Sequence, residues 1–111
     1  MGLRYEDGGT PYVYGVKKME KFMVLCTFKQ GTVMSEVFAV VAEEQAQVAA
    51  LEAEGRVGPI HLSLARGTVF IEAFAGDAAD ARSTVETLPM SKWWDIDVYP
   101  LAAPVVPGGA A

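Results

Sequence analysis

Two side chains in this 111-residue chain could move a proton near neutral pH: Glu44 and the single histidine, His61. Val37, Val40, Val41, Val48 and Leu51 recur at helical spacing. At about 100° per residue Glu44 falls inside that apolar stripe, whereas Glu43 falls farther round toward solvent. A carboxylate on a buried stripe is costly unless it is paired or neutralised. Desolvation raises its pKa, which suits a general acid or base. The competing reading is a structural carboxylate that satisfies a buried polar group or reaches a rim. His61 sits between Ile60 and Leu62, on the strand face it shares with Ser63. An imidazole there could shuttle a proton or hydrogen-bond a substrate oxygen. A hydrogen-bonded core or edge histidine is the alternative. Metal ligation is not expected, because no second His or Cys stands at ligand spacing.

Other residues could line a site without performing its chemistry. Glu72 lies between Ile71 and Ala73 in a strand, on the face of Phe70 and Phe74, as a pocket carboxylate or as the ion-pair partner of Arg56 or Arg66. Trp93 and Trp94 could form walls for a planar substrate, or serve as core or interface aromatics. Cys26 lies in an apolar run without an activating base and reads as a buried thiol. There is no Gly-rich phosphate loop, no serine elbow, no paired-cysteine metal motif and no dinucleotide fingerprint. Redox and phosphoryl chemistry therefore have no visible machinery in the sequence.

The elements that must position these groups follow from periodicity. Residues 21–29 read as a central strand that is apolar on both faces. Residues 35–54 read as one long helix stopped by Gly55. Residues 56–64 and 68–75 form two strands joined by a short turn with Gly67. Asp77 is a candidate N-cap, with Asp80 three residues on, for a helix over residues 78–87 that Pro89 ends. Residues 93–101 form the last strand. The order βαββαβ predicts a ferredoxin-like α+β domain, an antiparallel sheet with two helices on one face. The expected domain spans residues 19–101, between an N-terminal extension (1–18) and a Pro/Gly/Ala tail (102–111).

Bulk properties narrow the partners. Hydrophobic residues make up 51% of the chain and the mean hydropathy is +0.23. That is high for so small a domain, and strands apolar on both faces call for a cover over the open sheet face. Two such sheets packed face to face would supply it, so a homo-oligomer is expected. The net charge of −5 argues against nucleic acid, and the cluster Lys17, Lys18 and Lys21 is too small to reverse that. No apolar run reaches the ~20 residues of a membrane span. One cysteine and a polar, Gly-rich start unlike a signal peptide point to a reducing cytoplasm.

Three stretches resemble the muconolactone isomerases. Leu88-Pro89-Met90-Ser91-Lys92-Trp93-Trp94-Asp95-Ile96-Asp97-Val98 is similar to that family's C-terminal Leu-Pro, aromatic and Asp-Ile-Glu-Val signature. Ala42-Glu43-Glu44 with Leu51 and Glu54-Gly55 resembles its first helix. His61-Leu62 followed by Gly67 resembles its second strand. The resemblance covers residues 19–101. It implies a subunit that associates through its sheets into a dimeric α+β barrel and larger assemblies. It also implies cofactor-independent proton transfer on an unsaturated lactone, with Glu44 and His61 catalytic. Ser63 could then assist His61 at the substrate oxygen, while Phe70, Glu72, Phe74, Trp93 and Trp94 would contact the substrate. Relatives of this fold also act as natural-product cyclases and cofactor-free monooxygenases on aromatic polyketides, so these stay open. So does a non-catalytic oligomeric binding module with a structural Glu44.

Overall fold

The computed structural model describes residues 18–102. Apart from Lys18 and Ala102, the expected N-terminal extension and C-terminal tail lie outside the described residues. Strand β1 (Glu20–Phe28) alternates as its sequence requires. Phe22, Val24 and Cys26 are buried, while Met23, Leu25 and Thr27 on the other face are half-buried. Two helices follow, α1 (Met34–Phe38) and α2 (Val41–Ala53). The hairpin of β2 (Val57–Ser63) and β3 (Thr68–Ala75) comes next. Helix α3 (Ala78–Glu86) then leads through a 3₁₀ turn (Pro89–Trp93) into β4 (Trp94–Pro100).

The sheet order is β2-β3-β1-β4, with every neighbouring pair antiparallel. Both β1 and β2 run opposite to β3, so they are parallel to each other, and the chain between them crosses over β3. The link from β3 to β4 crosses over β1 in the same way. Val24 marks the centre, opposite Ile71 on one side and Val98 on the other. The result is a small α+β domain compatible with the ferredoxin-like order. No helix among the described residues is long and apolar enough to cross a membrane.

The single helix expected over residues 35–54 is two. Val40 leaves the helical basin (φ −108°, ψ 14°), and its N–H bonds to the carbonyl three residues back, at Val37. The adjacent β-branched pair Val40–Val41 loses side-chain freedom against a preceding helical turn, which makes this the weak point of the run. The last strand likewise starts one residue later than expected. Pro89 opens a 3₁₀ turn that consumes Trp93.

Helix α3 is well anchored. The Asp77 carboxylate accepts the Asp80 N–H at 2.8 Å, and the Asp80 carboxylate accepts the Gly76 N–H at 3.0 Å. Arg56, at the entrance to β2, donates to Asp80 at 3.0 Å and also to the Thr84 hydroxyl. Ala81, Val85 and Leu88 pack on Phe22, Val24, Cys26, Ile71 and Trp94, forming the core between sheet and helices. Helix α2 is held differently. It touches β2 and the 3₁₀ turn, whereas α3 lies on β1, β3 and β4. Leu51 is buried near the end of α2, and Gly55 (φ +73°) turns the chain back toward β2. The middle of α2 does not close on the sheet, and a cleft opens beside it.

Candidate active site

Glu44 stands in the first turn of α2 and is only 9% exposed. Oε1 accepts the N–H of Met90 at 2.9 Å. That N–H belongs to the 3₁₀ turn opened by Pro89, so the Leu-Pro-Met sequence supplies the carboxylate's partner. No cationic side chain pairs with Glu44 among the described residues. Burial pushes its pKa above the ordinary carboxylate range, and the Met90 N–H opposes this only in part. The first turn of α2 also offers the favourable end of the helix dipole. The result is a carboxyl held at one oxygen, with no described hydrogen bond to the other.

Glu44 borders an open cleft of about 530 Å³ between α2, the β2–β3 hairpin and the 3₁₀ turn. Val41, Val48, Ile60, Leu62, Ile71 and Trp94 supply most of its apolar wall. Among the described residues, Gln45 is the one uncharged hydrogen-bonding side chain along it besides the Trp94 indole. The Trp94 ring is locked edge-to-face against Phe28, with centroids 6.1 Å apart. Its Nε1–H is buried without a hydrogen-bond partner among the described residues.

The remaining sequence candidates do not gather here. Ile60 pairs with Ile71 and Leu62 with Val69, and these four side chains line the cleft. By strand alternation, His61 and Ser63 face the other side of the sheet, His61 opposite Phe70. His61 is exposed there, so the sheet separates it from Glu44 within one chain. Phe70, Glu72 and Phe74 share that outer face and do not line the cleft. Neither Arg56 nor Arg66 pairs with Glu72: its described ion-pair partner is Lys21, at 3.9 Å. Trp93 lies in the 3₁₀ turn, with the Lys92 ammonium 4.6 Å from its ring centre. Of the expected wall residues, only Trp94 lines the cleft.

Gln45, Ile60, Leu62 and Met90 line it without having been singled out from the sequence. The alternation of Ile60 and Leu62 with His61 was the available signal, and it needed only the knowledge of which face the helices cover. Among the described residues, no three His, Cys, Asp or Glu side chains gather as a metal site. What the cleft offers is one desolvated carboxylate, the exposed Glu52, the Gln45 amide and apolar walls, a set suited to taking a proton from carbon. No family model matches the chain, and no curated protein matches it.

Proposed function

We propose that this protein is a cofactor-independent isomerase-type enzyme that transfers a proton within an unsaturated lactone or related carbonyl compound. The observation that carries the reading is Glu44, a buried carboxylate at the wall of an apolar cleft whose only described partner is a backbone N–H. A carboxylate that merely filled the core would be expected to meet a cation.

In the proposed step, Glu44 removes a proton from carbon α or γ to the carbonyl. The C–H electron pair moves into the conjugated system and negative charge develops on the carbonyl oxygen. The neutral carboxyl then returns the same proton to a different carbon, so atoms and charge balance. A raised pKa narrows the gap between the carboxyl and a weakly acidic C–H and strengthens Glu44 as a base. The Gln45 amide, which lines the same cleft, would be the neutral donor to the developing oxyanion. His61 and Ser63 have no part in this step within a single chain.

Cleft size favours a second reading as well. A cavity of about 150 Å³ holds one benzene ring, and this cleft is several times larger. A cyclase or monooxygenase acting on a multi-ring aromatic or polyketide compound would use the same carboxylate.

We also propose that two copies pair through the outer sheet face into a dimeric barrel. Met23, Leu25, Phe70 and Phe74 form its half-buried apolar centre, with Lys21, Glu72, Asp95 and Asp97 around it. Sedimentation of Phe70→Glu should show a monomer where the parent shows a dimer, and a monomeric parent would defeat the pairing.

The test of function needs no natural substrate. β-Tetralone carries acidic C–H bonds beside its carbonyl, and their exchange with deuterium is read by NMR. The parent protein should catalyse exchange, and Glu44→Gln should lose about 10²–10⁴-fold of it. Equal exchange by a folded Glu44→Gln variant removes Glu44 as the base. A parent that binds such ketones without exchanging them would favour the binding-module reading.

A further inference from the structure

The charge and shape of the cleft bear on what it holds. A second lobe of about 410 Å³ adjoins the first. The two share Val41, Leu62, Val69 and Met90, so they form one trough. The second lobe runs past Phe38 and Leu64 toward Gly67, and no ionisable side chain among the described residues lines it. The ionisable residues along the first lobe are Glu44 and Glu52, both acidic. Among the described residues, no Lys, Arg or His lines either lobe. Arg56 is tied to Asp80 and Thr84, Lys92 sits over Trp93, and His61 lies on the opposite sheet face.

From this we infer that the trough selects an uncharged, extended apolar carbonyl compound and excludes carboxylated ones. The inference rests on the proton-transfer reading for the reacting end, where the acidic C–H meets Glu44. The rest of the ligand lies along the second lobe. A carboxylate on the ligand would add a third negative charge in a partly desolvated trough with no cation to meet it. Like charges a few ångströms apart in such surroundings repel strongly enough to dominate affinity. A lactone bearing a free carboxylate is therefore a poor fit. A neutral aromatic or polycyclic ketone matches both the length and the lining.

The test is a matched pair of probes, methyl β-naphthyl ketone and β-naphthoate, titrated calorimetrically near pH ~8, where carboxylates are ionised. The parent protein should bind the ketone at least about tenfold more tightly than the acid. Leu62→Lys places a cation at an exposed position on the trough wall and should reverse the preference. Equal or tighter binding of naphthoate by the parent overturns the inference. So does failure of the ketone to bind the parent, or a Leu62→Lys protein with unchanged preference. Deuterium exchange separates this from the catalytic reading. Ketone-selective binding without exchange sinks the base and keeps the ligand class, whereas exchange without charge selectivity does the reverse.

Discussion

Replacing Glu44 by Gln should make the protein more stable at neutral and mildly alkaline pH, and the gain should vanish in acid. Glutamine keeps the shape and still accepts the Met90 N–H through its amide oxygen, but it removes the buried charge. Burial outweighs that hydrogen bond, so the folded-state pKa of Glu44 lies above the ordinary 4.5. Between the two values the folded chain holds a proton that the unfolded chain has released. The parent is therefore most stable, in this respect, below about pH 4.5. It loses stability as pH rises through the folded pKa, and the loss then levels off. The steepest slope one such group can give is about 1.36 kcal/mol per pH unit. Urea unfolding of both proteins across this range isolates the effect, because every other titrating group cancels in the difference. Glu44→Ala is the control. It leaves the Met90 N–H without its acceptor and should cost about 1–3 kcal/mol. Parallel parent and Glu44→Gln curves, or a variant less stable at high pH, would refute the claim that desolvation governs this carboxylate.

Three further outcomes rest on the same packing. His61→Gln should leave ketone exchange within about twofold of the parent, because the sheet separates His61 from the cleft; a loss comparable with removal of a general base, about 10²-fold or more, would place it at the chemistry. Cys26 is buried, and desolvation, with the Glu44 charge second, pushes its thiol up to about 12; it should resist a thiol reagent at pH ~8 until urea unfolds the chain, and rapid labelling of the folded protein would contradict this. Ile71 is 1% exposed and forms part of the cleft floor. Ile71→Val should cost about 0.5–1.5 kcal/mol in urea unfolding without abolishing ketone binding.

Much of the scaffold was legible because the periods are clean. The alternation in residues 21–29, the Asp77 cap and the turn at Gly67 all appear where the sequence puts them, within a residue or so. Glu44 was legible for a robust reason: it and Leu51 are seven residues apart within α2, so their shared face survives the break at Ala39–Val40. His61 was misplaced relative to Glu44 for an equally definite reason. Alternation correctly set His61 apart from Ile60 and Leu62. But the strands are apolar on both faces, and nothing local says which face the helices cover. That is decided by pairing across the sheet, where Ile60 meets the buried Ile71. The Met90 N–H was illegible because a backbone group 46 residues from Glu44 leaves no mark in side-chain patterns. Trp93 and Trp94 diverge because the 3₁₀ turn ends between them, leaving one beneath Lys92 and the other buried in the cleft wall.

The most direct test of Glu44 as the reacting base compares two titrations. One is the pH–rate profile of β-tetralone exchange under conditions that report the free protein. The other is the carbon NMR titration of the Glu44 carboxyl in the same protein. The account predicts that both rise with the same midpoint, above 4.5, and that the rate step disappears in Glu44→Gln. A rate step that persists in Glu44→Gln, or a carboxyl titrating at or below its ordinary value, would contradict it.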